Sequence, residues 1–268
     1  MEVTAGRFTA RLAETEEDVQ AAQRLRYRVF VEEMGASASQ QEHHDRRESD
    51  SFDAQCDHLI LLDTESTETD PLDRVIGVYR LLSGSVAEAG PGYYSAAEFN
   101  LEKIHAYPHE TLELGRSCVH ADYRSGAAMQ LLWMALAQYI YTHKLRLLFG
   151  CASFHGSDMR ELAKPLSYLY HNRLAPEHLR PRVLDEFFND MNLLPAGEVT
   201  RAEAMREMPA LIKGYLRLNG YVGDGAFIDK EFNTIDVLLV METDKISARY
   251  HSFYAGKSPE QTAEELGG

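Results

Sequence analysis

The sequence is poor in positive charge: 27 Lys and Arg stand against 42 Asp and Glu in 268 residues, a formal net charge of −15. A general nucleic-acid binder needs a basic stripe, and this balance argues against one. Cysteine is scarce as well. Cys56, Cys118 and Cys151 are widely spaced with no CxxC pairing, which fits buried, reduced thiols better than a disulfide framework or a zinc site. Long apolar runs are missing too: residues 127–141 are interrupted by Gln130 and Gln138 and fall short of the ~20 residues that cross a bilayer. No apolar stretch behind a basic start opens the chain, so the expectation is a cytoplasmic protein without a secretory leader. No internal repeat or low-complexity tract is present. No metal is expected either, because His43, His44 and Asp45 with His58 have no ordered ligating scaffold.

What is present is enough apolar sequence, 44% of residues, to bury a substantial core. Residues 8–12 read as a strand, after which Thr15 caps a helix with an acidic first turn that runs to Met34. A polar loop over residues 35–51 follows. Residues 57–63 and 74–82 are strand-like and joined by the acidic TESTETDPLD, an antiparallel pair. An irregular Gly/Pro/Tyr segment from Ser83 contains a short helix near residues 96–104 and leads to a strand over 111–120. A helix over 127–143 and a continuous apolar strand over 145–152 then make a β-α-β unit with a parallel pair. A second helix spans 158–171, and a helix from Pro209 and a strand over 234–241 close the order. This is an α/β fold with a mixed, mostly antiparallel sheet, in which function is expected where strands splay or the order reverses.

Charged residues on apolar faces carry the chemical signal. On the first helix Val19, Ala22, Leu25, Val29 and Phe30 share a face with Arg26 and Glu33, and in VIGVYRLL the period of two puts Arg80 among Ile76, Val78 and Leu82. Inward arginines need an anion: Glu33 or a loop acid for Arg26; Asp50, Asp53, Glu113, or a bound carboxylate or phosphate for Arg80. In LELGRSC, Glu113 and Arg116 come to one side only through a β-bulge near Gly115. Such a bulge also frees a backbone N–H that can stabilise an oxyanion. Arg124 and Gly126 precede a helix whose N-terminal N–H groups favour a phosphate. Cys118, His120 and Asp122 alternate along one strand at a spacing too long for a nucleophile and its base.

Together these positions resemble the GNAT N-acyltransferase superfamily, and the strings RLRYRVFVEEMGA, CDHLILLD, YYSAAEFNL, LELGRSCV, LLFGCASFHG and LIKGYLRLNGYVGDGAFID are similar to ornithine N-acyltransferases of ornithine-lipid synthesis. Arg26, Phe30, Asp50, Asp53, Arg80, Glu113 and Arg116 also match acyl-homoserine-lactone synthases. Those synthases usually carry a Trp shortly after R-x-x-V-F, where this chain has Met34, Gly35 and Ala36, and the last third of the chain also favours the ornithine branch. The resemblance implies a single GNAT-like domain over residues 1–268, with a core over 1–175, a family-specific part over 176–268 and a central splayed parallel pair. It implies transfer of a 3-hydroxyacyl chain from acyl carrier protein to the α-amine of ornithine, with no permanently bound cofactor; the alternatives are an autoinducer synthase of the acyl-homoserine-lactone type and acyl transfer to another amino acid such as glutamine or glycine.

The loop formed by Arg124, Ser125, Gly126, Ala127 and Ala128 is one residue short of the superfamily's pyrophosphate loop, which fits phosphopantetheine at least as well as coenzyme A. The expected roles follow. Glu113, directly or through water, deprotonates the amine and pairs with Arg116; Arg26, Phe30, Asp50, Asp53 and Arg80 form the acceptor site; Ser117, Cys118, Val119, Arg124, Ser125, Gly126 and Ala127 receive the pantetheine arm and phosphate. Lys144, Arg146, Arg160, Lys164 and Arg173 are the expected docking patch for an acidic carrier protein, and the amphiphilic product implies transient contact with the inner membrane face.

Overall fold

The computed structural model describes residues 1–124 and 126–246. In chain order it forms β1 (Glu2–Ala5), β2 (Phe8–Leu12), α1 (Glu16–Arg26), α2 (Gln40–Asp45), β3 (Asp57–Asp63), β4 (Val75–Ser83), α3 (Gly84–Ala89), β5 (Phe99–Asn100), α4 (Glu102–His105), β6 (Thr111–Val119) and α5 (Ala127–Thr142). Then come β7 (Leu147–His155), α6 (Ala163–Arg173), β8 (Arg182–Val183), α7 (Arg201–Glu207), α8 (Ala210–Arg217), β9 (Tyr221–Val222), β10 (Phe227–Asp229) and β11 (Thr234–Glu242). These make an α/β architecture with a mostly antiparallel sheet that includes one parallel pair. Among the described residues no helix is long and apolar enough to cross a membrane.

The described chain divides into two compact units, Met1–Leu82 with Leu114–Lys144, and residues 83–113 with 145–246. In the first, the strand order is β1-β2-β3-β4-β6, antiparallel from β1 through β4. Helices cover both faces of its centre. Ile60 and Val78, paired across β3 and β4, pack with Ala22, Leu25 and Val29, whereas the next pair, Leu61 and Gly77, lies beneath Leu132 of α5. Alternate side chains leave opposite faces of a strand, so double coverage explains why β4 is buried from Val75 to Leu82. In the second unit β7 pairs antiparallel with β11 along its whole length, and β9 and β10 pair with β11. There β6 runs parallel to β7 only where Thr111–Glu113 faces Leu147–Phe149.

Several expectations shift for local reasons. β1 lies in a stretch with no strong pattern and forms by a hairpin to β2 through Gly6, whose φ of +56° suits glycine. The expected polar loop contains α2, which buries no side chain and starts with the Ser39/Glu42 capping box. The short helix near 96–104 resolves into a 3₁₀ turn over Tyr94–Ala97, then β5 and α4. The helix expected from residue 158 starts at Ala163, because Pro165 is tolerated only in a first turn. The expected α1 is present but changes pitch: Tyr27–Glu33 is π-helical, with Met34 N–H bonded to the Val29 carbonyl at 3.0 Å.

At the start of α1, Thr15 Oγ1 accepts from Asp18 N–H at 3.1 Å and the Asp18 carboxylate accepts from Thr15 N–H at 3.3 Å. Thr15→Ala should cost about 1 kcal/mol, read as a lowered urea midpoint with unchanged m. An unchanged midpoint would mean this reciprocal cap contributes nothing.

Candidate active site

The first unit holds a closed ring of alternating charge, buried except at the half-exposed Asp50 and Arg116. Arg26, at the end of α1, is fully buried; its Nε donates to Glu48 Oε2 at 2.5 Å and its Nη1 to Asp53 Oδ1 at 2.7 Å. Arg80, from β4, donates through Nη1 to Asp53 Oδ1 at 2.9 Å and Asp50 Oδ1 at 2.6 Å. Arg116, from β6, completes the ring, donating to Asp50 Oδ2 and Glu48 Oε1, each at 3.1 Å. Each carboxylate thus bridges two guanidiniums, and the six charges cancel. Gln23 Nε2 adds a bond to Asp53 Oδ2 at 2.8 Å, and the Arg80 guanidinium lies 5.8 Å from the Phe52 ring centroid.

Burial alone would raise the Asp53 and Asp50 carboxyls, but the attraction of Arg26 and Arg80 on Asp53, and of Arg80 and Arg116 on Asp50, holds both below the ordinary range. The expectation that inward arginines need an internal anion is met by loop acids. Glu33 is not one of them. Between Arg26 and Glu33 the helix takes the wider π turn, so Glu33 no longer returns to the face of Arg26. It instead takes both Nη groups of Arg124 at 2.5 Å. Phe30, expected in the acceptor site, packs half-buried against the α1–β4 core.

Glu48 escaped the sequence reading. Of the acids expected to face the inward Arg26 and Arg80, Asp50 and Asp53 join the ring, and Glu48 is the loop acid that Arg26 takes. Gln23 and Ser95 were missed because a lone polar residue carries no periodic signal.

Within β6 one residue leaves the extended conformation. Arg116, next to Gly115, has φ +49°, a left-handed conformation that costs a non-glycine residue on the order of 1 kcal/mol and that its two ion pairs hold in place. Beyond the bend Ser117 is half-buried, while Val119 and Cys118 are buried. Burial pushes the Cys118 thiol well up, which suits a core residue and not a nucleophile. Arg124 Nε donates to the Val119 carbonyl at 3.0 Å, so this residue is anchored at both ends of its guanidinium. Gly126, with φ +74°, and Ala127 open α5; Ser125 lies outside the described residues.

In the second unit, Glu113 is 4% exposed at the last paired position of β6 with β7. Its Oε2 accepts from Tyr94 N–H at 2.8 Å, and its Oε1 from Ser95 N–H at 2.8 Å and Ser95 Oγ at 2.5 Å. The turn that supplies these donors is held by Tyr93, whose hydroxyl meets Thr111 Oγ1 at 2.7 Å and whose ring packs edge-on to Phe149. The expected docking cations are in part locally neutralised: Arg146 pairs with Asp244, Arg160 with Asp158 and Lys164 with Glu207.

Residues 25–134 match the acetyltransferase (GNAT) domain family. The L-ornithine N(alpha)-acyltransferase of Rhodobacter capsulatus is 49% identical over 92% of this chain and 94% of its own length, and that of Agrobacterium fabrum is 42% identical over 94% and 87%. The chain belongs to this acyltransferase family. In fold it is similar to FeeM, an N-acyl amino acid synthase from uncultured soil microbes, with a TM-score of 0.51 at 10% identity over 89% of this chain and 92% of that one.

Two outcomes test the ring. Arg80→Met leaves Asp50 and Asp53 short of a buried partner and should destabilise the protein by about 3–5 kcal/mol in urea unfolding; a loss under 1 kcal/mol would mean the ring is solvated. The second concerns pH. His58, opposite Arg80 on β3, donates from Nε2 to the Asp53 carbonyl at 3.0 Å, and burial lowers its pKa. A lowered histidine is neutral in the fold, so the unfolded chain takes up the proton first and stability falls below about pH 6.5. The depressed Asp50 and Asp53 contribute fully above about pH 4 and lose that contribution as pH falls through their folded values. Thermal unfolding against pH should therefore fall in two stages, and His58→Asn should diminish the upper one alone.

Proposed function

We propose that the protein transfers a 3-hydroxyacyl chain from the phosphopantetheine thioester of an acyl carrier protein to the α-amine of L-ornithine, with Glu113 as the base. The observation that carries the reading is the Glu113 carboxylate, buried at the end of the β6–β7 pairing and fixed by donors to both its oxygens. An α-ammonium cannot attack a carbonyl. Glu113 takes its proton, directly or through a water, and the amine nitrogen adds to the thioester carbon. A backbone N–H at the Arg116 bend stabilises the oxyanion. Collapse breaks the C–S bond, the extra proton on the adduct nitrogen goes to the departing thiolate to give the carrier's thiol, the proton taken by Glu113 is released to solvent, and the amide remains on ornithine.

The remaining roles follow the same logic. Ser117, Cys118 and Val119 line the path of the pantetheine arm through their backbone, and the first N–H groups of α5 after Gly126 receive its phosphate. Arg124, Ser125 and Ala127 shape that loop. Arg26, Arg80, Asp50 and Asp53 act through position: they hold Arg116 in its left-handed conformation, and with it the oxyanion donor. The relatives' names support ornithine as acceptor over the autoinducer-synthase reading. Product release at the inner membrane face is the corresponding expectation for an amphiphilic product.

Purified protein with 3-hydroxyacyl carrier protein and ornithine should yield N-acyl-ornithine by mass spectrometry, and the acyl-coenzyme A should be a poorer donor. Glu113→Gln should lower kcat by about 10²–10⁴-fold with a smaller change in KM. Unchanged turnover across pH would demote Glu113 to a structural anchor of the Tyr94–Ala97 turn.

A further inference from the structure

One short turn grips Glu113, and its donors are of two kinds. In the 3₁₀ turn Tyr94–Ala97, Ala96 N–H bonds to the Tyr93 carbonyl at 3.2 Å, so the N–H groups of Tyr94 and Ser95 have no acceptor within the turn. Both go to Glu113, one to each oxygen, at 2.8 Å. Ser95 adds its hydroxyl to the oxygen that its own N–H already meets, at 2.5 Å. An O–H···O⁻ bond of that length is charge-assisted, and an ionised carboxylate can only accept, so the hydroxyl is the donor.

The turn is fixed by the same strand that carries Glu113. Thr111 and Glu113 are two apart on β6 and leave one face of it. Tyr93 takes the first, through the 2.7 Å contact of its hydroxyl with Thr111 Oγ1, and Tyr94 and Ser95 take the second. Gly84, at the start of α3, leaves room for this closure: a Cβ there would lie 2.6 Å from Thr111 Oγ1 and 2.9 Å from the Tyr93 hydroxyl oxygen. Tyr93 and Ser95 are 3% and 0% exposed, so neither hydroxyl has solvent to turn to.

Of these three donors to Glu113, two belong to the backbone and come with the turn whatever side chains stand at 94 and 95. The Ser95 hydroxyl is the one that depends on residue type. A base has to stay within hydrogen-bond reach of the nitrogen it serves, and a misplacement of about 1 Å costs on the order of 100-fold in rate. We propose that Ser95 is a positioning residue of the reaction: its hydroxyl holds the Glu113 carboxylate in the orientation from which it takes the acceptor's proton. This rests on the acyl-transfer reading with Glu113 as base. Ser95 acts through the carboxylate alone, so the effect of removing its hydroxyl vanishes when the carboxylate is absent.

The test is a double-mutant cycle at positions 95 and 113, read in kcat and KM with 3-hydroxyacyl carrier protein and ornithine. Ser95→Ala should lower kcat about 10–100-fold and change the KM for ornithine by less than about twofold. Ser95→Cys, close in size but a weaker donor, should fall between Ser95→Ala and the intact protein. In a Glu113→Gln background, Ser95→Ala should cost less than about twofold more. Additive losses across the cycle would overturn the inference, as would an unchanged kcat in Ser95→Ala. Equal loss of kcat in the Ala and Cys variants, tracking a fall in thermal midpoint, would overturn it in favour of a purely structural serine. Unchanged turnover in Glu113→Gln would remove the base reading and this inference with it, and no acylation of ornithine by the intact protein would remove the acyl-transfer reading itself.

Discussion

Three guanidiniums and three carboxylates meet in the first unit, with Arg26, Arg80, Glu48 and Asp53 buried and Asp50 and Arg116 half-buried, and each carboxylate is shared by two arginines. Buried ion pairs are expensive to form, and replacing all partners by apolar residues often raises stability. The return on this ring is therefore geometric. It ties the end of α1, the centre of β4 and the bend of β6 to the acidic segment around Glu48, Asp50 and Asp53. The left-handed Arg116 depends on it, because two of the six links are made by that side chain. An oxyanion donor at this bend is only as well placed as the ring that fixes it.

The two units hold their acids with different donors. In the first, acids are matched by arginines, and the Asp50 and Asp53 carboxyls are held low by that match. In the second, Glu113 is gripped by two backbone N–H groups and the Ser95 hydroxyl. Guanidiniums lock a carboxylate in charge as well as in place, whereas N–H and O–H donors fix its place, which is what a base requires. Reading the acceptor's second ammonium from the Asp50 and Asp53 side is disfavoured by the same chemistry: those oxygens are already occupied by guanidinium donors.

Legibility in the sequence followed the range of the interactions. The Thr15 cap, the strand β3 and the helix α5 are local patterns, and their positions could be read to within a few residues. The inward arginines were visible from periodicity. What could not be read was partner choice. Glu48 lies 68 positions from Arg116, and Glu33 lies 91 from Arg124, distances over which spacing says nothing. The π turn within Tyr27–Glu33 leaves no compositional mark, yet it redirects Glu33. Ser95 reaches Glu113 from 18 positions away, out of an irregular segment in which nothing marks it.

The central claim is that the α-amine of ornithine is deprotonated at Glu113 and acylated. The position of the acyl group on the product tests this most directly. With ornithine labelled with ¹⁵N at both nitrogens, the amide proton of the product should couple by NMR to the α-nitrogen, and its δ-nitrogen should remain an ammonium. A product acylated at the δ-nitrogen, or a mixture of both, would contradict the account, since it would place the side-chain amine at Glu113.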